Sequence, residues 1–148
     1  HIYYWGDAHI TTTMGPDSAA RLDDAGGALA EGGPVAIHSD APVTALAPLF
    51  TAWCAVNRVS SSGARLGSQA HCLTVDQALH AITLGAAYSL KMDHEIGSIE
   101  VGKRADFAIL DEDPYEVAPM ELKNIGVTGT VVGGRAHLNT AAKNLNNI

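Results

Sequence analysis

The hydrophobic positions of this chain repeat with a helical period in its middle and with a strand period towards its end. Thr74-x-x-Gln77 has the form of a capping box, and apolar residues recur after it at helical spacing. We therefore predict a helix over residues 74 to about 90. A second helix is predicted from Pro48, because proline suits a first helical turn and four apolar side chains then share one face: Leu49, Phe50, Trp53 and Val56.

Two short apolar runs in the first forty residues predict strands. Residues 2–5 form the first run, with a loop predicted over residues 6–9, and residues 35–37 form the second. The polar trio His38-Ser39-Asp40 follows the second run directly. We therefore expect Asp40 to lie just past the carboxyl end of a buried strand.

The strand period dominates after Gly97. Residues 99–101 alternate between apolar and polar side chains, and residues 105–110 form an apolar run after a predicted tight turn at Gly102-Lys103. Residues 126–132 predict a further strand, and Gly133-Gly134 is a favourable two-residue hairpin turn. The end of the chain is thus predicted to be a small sheet.

Composition is that of an ordinary globular chain. Of 148 residues, 47% are hydrophobic and 17% are charged, and the length fits one domain. The net charge is −7 and no cluster of Lys and Arg occurs, so we expect neither nucleic acid nor a membrane as a partner. Two cysteines, Cys54 and Cys72, leave the compartment open, with a slight preference for the cytoplasm.

Asp40 is the strongest candidate for chemistry. A carboxylate after a buried parallel strand lies where α/β barrels keep their reactive groups. Aspartate is also a good helix N-cap, so Asp40 could simply begin the next helix. Spacing alone favours the cap.

Several segments together resemble the amidohydrolase superfamily. The run Pro34-Val-Ala-Ile-His-Ser-Asp40-Ala-Pro-Val43 resembles the motif of its eighth barrel strand, and residues 97–111 resemble the segment that leaves the barrel and completes a small β-sandwich. Residues 1–9 resemble the seventh-strand motif of the large amidohydrolases related to N-substituted formamide deformylase and to exoenzyme regulatory proteins. Residues 55–58 and 73–79 are similar to helices of that subgroup, so the resemblance covers residues 1 to roughly 137.

This resemblance implies an α/β fold that is incomplete on its own. Residues 1–96 would be the last βα units of a (β/α)8 metal-dependent hydrolase barrel. Residues 97–138 would be the C-terminal strands of the small β-sandwich, and residues 139–148 a flexible tail. A complete barrel of this kind needs about 250 residues.

The resemblance also implies roles for five residues. Asp40 would be a metal ligand and the catalytic base, since a carboxylate can ligate a divalent metal through one oxygen and accept a proton on the other. His1 and His9 would contact substrate at the mouth of the site, although a strand-end and a loop histidine are equally good interpretations. His38 could support the Asp40 carboxylate or be a core histidine, and Arg58 could pair with a substrate carboxylate or with a neighbouring Asp.

The histidine ligands of the superfamily have no counterpart in this sequence. Catalytic zinc needs three protein ligands, and Asp40 is one. We therefore expect the C-terminal part of a metal-dependent amidohydrolase, with zinc in the complete parent, that hydrolyses a non-peptide C–N bond in a small molecule. The chain alone is expected to be inactive and to hold no metal firmly, with the N-terminal portion of the enzyme or a second copy as its partner. The alternative is a stand-alone, non-catalytic module for binding or assembly.

Overall fold

A computed structural model of the chain describes residues 1–139, with six short α-helices followed by a three-stranded sheet. A π-helical turn, His9–Thr13, and two 3-10 helices, Gln69–His71 and Pro119–Asn124, complete the elements. The helices are α1 (Ile2–Ala8), α2 (Pro16–Ala19), α3 (Ala25–Ala30), α4 (Pro48–Asn57), α5 (Val75–Ile82) and α6 (Leu84–Ser89), and the strands are β1 (Phe107–Leu110), β2 (Val127–Val132) and β3 (Arg135–Leu138).

The sheet is antiparallel in the order β1-β2-β3. Gly133 and Gly134 have φ angles of 55° and 78°, which the two central positions of a type I′ hairpin turn require, and Val132 pairs with Arg135 across them. The strands predicted over residues 105–110 and 126–132 and the hairpin turn are therefore confirmed. The strand predicted over residues 99–101 is wrong, since that segment has no strand pairing and Ile99 is exposed.

The capping box predicted at the start of α5 is confirmed, because both of its reciprocal hydrogen bonds are present. The Thr74 hydroxyl accepts from the Gln77 amide at 3.2 Å, and the Gln77 side chain accepts from the Thr74 amide at 2.9 Å. The predicted long helix is divided in two at Thr83, whose hydroxyl donates to the Leu79 carbonyl at 2.7 Å and whose backbone leaves the helical region. Helix α4 begins at Pro48 as predicted.

The first predicted strand is wrong, because residues 2–8 form α1. Residues 2–5 are all apolar or aromatic, so they carry no period that separates a strand from a helix. A helix satisfies backbone groups within its own segment, as the 2.9 Å bond from the Trp5 amide to the His1 carbonyl illustrates. The loop predicted over residues 6–9 is wrong for the same reason, since these residues continue the helical turns.

The second predicted strand is wrong as well. Residues 35–37 have no strand pairing, and the Ile37 amide instead donates to the carbonyl of Ala81 at 3.3 Å. Parallel strands are stable only beside partner strands that cover their edges. Among described residues 1–96 there is an isolated bridge between Val59 and Arg65 but no strand.

The core joins the helices to the segment before β2. Trp53 of α4 is buried, and its indole N–H donates to the Met120 carbonyl at 2.8 Å. The Asn57 side chain donates to the Pro119 carbonyl at 2.9 Å, and the Lys123 ammonium lies 4.0 Å from the centre of the Trp53 ring. The buried members of this core are Ala52, Trp53, Val56, Leu73, Ala78, Ala81, Leu122 and Ile125.

One face of the sheet is entirely apolar. Strand alternation and the observed register place five apolar side chains on it: Phe107, Ile109, Val131, Ala136 and Leu138. The opposite face carries Thr130 and His137. The apolar face is only partly covered, with Phe107 39% and Leu138 59% exposed.

Of the predicted tail over residues 139–148, residues 140–148 lie outside the described part of the chain. Across residues 1–139, none of the helices has both the length and the apolar composition needed to cross a membrane.

Candidate active-site pocket around Asp40

A cavity of about 430 Å³ lies between α3, α4 and the segment that ends at Asp40. Three of the five site residues predicted from the sequence line it: His1, His38 and Asp40. Other parts of the wall come from the start of α3, with Asp23, Asp24 and Ala25, and from α4, with Thr51, Cys54 and Ala55.

His1 and Asp40 meet at the rim of this pocket. The His1 Nε2 atom lies 3.9 Å from a carboxylate oxygen of Asp40, and both side chains are about half exposed, at 46% and 52%. The His1 ring also packs edge-on against Trp5, with ring centroids 5.3 Å apart. A half-exposed carboxylate beside an imidazole can accept protons and bind cations while remaining open to a ligand.

The backbone of Asp40 forms a tight turn. Its φ is +54°, in the left-handed region, and its carbonyl accepts from the Val43 amide at 2.8 Å. Helix α4 begins later, with Ala47 at its N-cap. The interpretation of Asp40 as a helix N-cap is therefore wrong, and its side chain is left free to face the pocket.

His38 supports Asp40 through the backbone. The Asp40 amide donates to His38 Nδ1 at 3.0 Å, so this nitrogen accepts and a neutral ring carries its proton on Nε2. His38 is exposed, so the alternative of a core histidine is wrong. Its ring helps to fix the turn from which the carboxylate projects.

His9 lies in the π-helical turn after α1 and is not among the residues that line this pocket. Its Nδ1 atom is 2.7 Å from the Thr13 hydroxyl. The proposed substrate contact of His9 therefore stays a prediction.

Arg58 does not line the pocket either. It is buried, and its guanidinium donates to four backbone carbonyls, those of Ala20, Leu22, Asp23 and Leu66. Burial lowers the pKa of Arg58 below its usual value, with nearby Asp24 and Asp23 opposing that shift. In this structure the partners of Arg58 are carbonyls, in place of the neighbouring Asp carboxylate suggested from the sequence.

Two carboxylates in the pocket wall were not identified from the sequence. Asp24 caps α3, with a side-chain oxygen accepting from the Gly27 amide at 2.8 Å, and its other oxygen lies 3.7 Å from His71 Nε2. Asp23 precedes it with a positive φ of 49°. The only sequence signal for this wall is an Asp before a helical segment, which is a common cap pattern.

Cys54 contributes a neutral side chain to the pocket. Burial raises the pKa of its thiol to about 11, so the thiol stays protonated near neutral pH. A protonated thiol is a poor nucleophile. Cys54 therefore acts as a small lining residue of α4.

Comparison with known proteins identifies the family of this sequence. Residues 1–136 match the family described as the amidohydrolase family. The chain belongs to the amidohydrolase family. No solved structure matches the chain.

Three curated proteins illustrate the range of relatives to which this amidohydrolase chain is similar. N-substituted formamide deformylase of Arthrobacter pascens is 38% identical over 100 residues, which is 68% of this chain and 18% of the relative. Imidazolonepropionase of Bacteroides fragilis is 45% identical over 62 residues, or 42% of this chain and 15% of the relative. Protein LONG AFTER FAR-RED 3 of Arabidopsis thaliana is 32% identical over 101 residues, or 68% of this chain and 17% of the relative.

The amidohydrolase chain thus spans less than a fifth of each of these relatives. Within its described residues, no group of three or more His, Cys, Asp or Glu side chains is placed to hold a metal ion. Catalytic zinc takes three protein ligands. The described residues of this amidohydrolase chain therefore do not form a complete metal site.

Proposed function

We propose that this chain is the C-terminal part of a metal-dependent amidohydrolase that hydrolyses a non-peptide C–N bond in a small molecule, and that the chain alone is inactive. The observation that carries the proposal is the meeting of His1 and Asp40 at the rim of one pocket, 3.9 Å apart, in a chain of the amidohydrolase family. The names of two relatives, a deformylase of N-substituted formamides and an imidazolonepropionase, support a C–N bond as the target.

Asp40 would act as the base of this reaction. Its carboxylate is half exposed, and its turn is held by the bonds of its backbone to His38 and Val43. A carboxylate held in this way can accept a proton from an attacking water and deliver it to the leaving nitrogen. His1 would border the same space and contact the substrate.

A divalent metal, which we propose to be zinc, belongs to the longer enzyme. Asp40 would supply one ligand, and the other ligands would come from residues outside this chain. This division follows from the ligand count, because the described residues offer too few donors at the pocket.

The barrel is part of the same proposal. In the longer enzyme, residues 1–96 would correspond to the region of the last βα units of that barrel. Val35 and Ile37 are half-buried against the core that contains α4 and α5, so this segment packs on the helices of the same region. Helices α4 and α5 would then pack on the outside of the barrel.

The partner would be the N-terminal portion of the enzyme or a second copy of this chain. The apolar sheet face, with Phe107 and Leu138 partly exposed, supports association, because such a face is ordinarily covered by another layer. Strands β1 and β3 are the edges of the sheet and offer unpaired backbone groups.

Expression of the gene with its upstream sequence tests the proposal. The longer protein should hydrolyse members of a panel of formamides and cyclic amides, and the 148-residue chain should hydrolyse none. An upstream sequence with a His-x-His pair would support the enzyme. A start codon just before His1, with specific binding but no hydrolysis by the chain, would support the alternative of a non-catalytic module.

A further inference from the structure

Arg58, at the end of α4, binds the segment that carries Asp23 and Asp24 into the pocket wall. Its Nη1 donates to the Asp23 carbonyl at 2.7 Å, and its Nη2 donates to the carbonyls of Leu22 at 2.6 Å and Ala20 at 3.2 Å. Its Nε donates to the Leu66 carbonyl at 3.0 Å. One side chain therefore binds three carbonyls of the turn between α2 and α3, a segment that forms no helix or strand of its own.

We infer that Arg58 is a positioning residue for the pocket: it fixes residues 20–24 and thereby places Asp23 and Asp24 in the wall of the cavity that Asp40 also lines. It would act through these carboxylates without touching the substrate. The inference rests on the proposed function only for its effect on catalysis, since the placement of the wall is a property of the chain itself.

The local geometry is specific to arginine. Arg58 lies at the C-terminal end of α4 in the left-handed region, with φ 49°, and its guanidinium reaches the carbonyls of residues 20–23. Its planar fork presents several donors in fixed directions, whereas a lysine ammonium is a single point of donation. A lysine at this position could therefore replace at most part of the set.

Close backbone packing supports the same conclusion. A Cβ atom added at Gly67 would lie 2.4 Å from the Ala20 carbonyl oxygen, and one added at Gly26 would lie 2.4 Å from the Ala70 carbonyl oxygen. Ala20 and Gly26, which lie on either side of Asp23 and Asp24 in the chain, thus pack closely against Gly67 and Ala70. Arg58 supplies the polar contacts and the two glycines permit the approach.

Hydrogen exchange in the 148-residue chain tests the inference with Arg58→Lys. We expect amides of residues 21–28 to exchange at least about tenfold faster, with the hairpin over residues 127–138 unchanged. Arg21→Lys is the matched control, because Arg21 is an exposed arginine in the same segment, and it should change neither region. Equal acceleration in both regions, or none in residues 21–28, would overturn the inference.

A measurement on the unaltered chain covers the case in which Arg58→Lys does not fold. The nuclear magnetic resonance signals of the Arg58 guanidinium should be resolved from one another and slow to exchange with water, while those of exposed Arg21 should be averaged. Averaged signals for Arg58 would show that the guanidinium is not held, and would also overturn the inference.

Kinetics of the longer enzyme separate this inference from the proposed function. Arg58→Lys should raise KM by about tenfold with a smaller effect on kcat, because it displaces a wall of the pocket and leaves Asp40 in place. An unaltered longer enzyme that hydrolyses no amide would contradict the proposed function, and the exchange experiment would then decide the role of Arg58 by itself.

Discussion

The imidazole of His1 and the carboxylate of Asp40 meet at the rim of one pocket, with 3.9 Å between His1 Nε2 and the nearer carboxylate oxygen. Both groups are about half exposed, so their pairing adds at most about 1 kcal/mol to stability. Its importance lies in placement, since two residues that are 39 positions apart in the sequence border the same cavity.

Asp7 should make the stability of the chain depend on pH. Hydrogen bonds from Ser60, at 2.6 Å, and from Ser62 and Ser61 hold the pKa of Asp7 below its usual value of 3.8. A carboxyl with a depressed pKa in the folded state stabilises the fold above its unfolded pKa, and this contribution is lost as pH falls through the folded value. Asp7→Asn should therefore lower Tm at pH 7, and the difference from the unaltered chain should narrow below about pH 4.

Thermal melting over this pH range measures the effect of Asp7. Asp17→Asn is the matched control, because Asp17 is exposed, and it should lower Tm much less at pH 7. A difference between Asp7→Asn and the unaltered chain that stays constant down to pH 2 would contradict a role for the ionised carboxylate.

Leu122 should be essential to the docking of the 3-10 helix Pro119–Asn124 on α4. Its side chain is fully buried in the core that contains Trp53, so Leu122→Ala removes packing and leaves a cavity. The expected loss is about 2–5 kcal/mol of unfolding free energy, measured by urea denaturation. Leu46→Ala, at a residue that is 81% exposed, should change it by less than about 0.5 kcal/mol.

The features that were predicted correctly from the sequence are specified by residues close together in the chain. The capping box of Thr74 and Gln77, the start of α4 at Pro48 and the glycine turn before β3 each depend on residues a few positions apart. Such features carry their own hydrogen-bond partners, so the sequence pattern alone specifies them.

The predictions that were wrong concern strands, which form only when partner strands lie beside them. Residues 2–5 and 35–37 were predicted to be strands, yet the former fold into α1 and the latter form no strand in the described structure. A uniformly apolar run does not distinguish helix from strand, and the partners of a barrel strand are distant in sequence. The contacts of Arg58 with residues 20–23 were missed for a similar reason, because they join positions 35 to 38 residues apart.

The apolar sheet face should drive association of the isolated chain. Sedimentation velocity at micromolar concentration should show species larger than the monomer, and Leu138→Lys should shift them towards the monomer. His137→Lys is the matched control, since His137 is the neighbouring residue on the opposite face of β3. A monodisperse, cooperatively melting monomer for the unaltered chain would argue against this surface.

The isolated chain should not retain zinc. Its described residues offer no group of three metal-binding side chains, so dialysis against a weak chelator should leave well under one zinc per chain, as measured by elemental analysis. The opposite outcome is one zinc per unaltered chain and none in the Asp40→Asn variant. That result would mean that His1, His38 and Asp40 form a zinc site in this chain alone.

The turnover of Asp40→Asn in the longer protein tests the central claim most directly. Asparagine keeps the size of the side chain and removes the basic oxygen, so kcat for amide hydrolysis should fall by about 100-fold or more while KM changes little. Asp17→Asn, at an exposed position outside the pocket lining, should leave kcat unchanged. An Asp40→Asn protein that turns over at the unaltered rate would contradict the assignment of Asp40 as the base of this amidohydrolase.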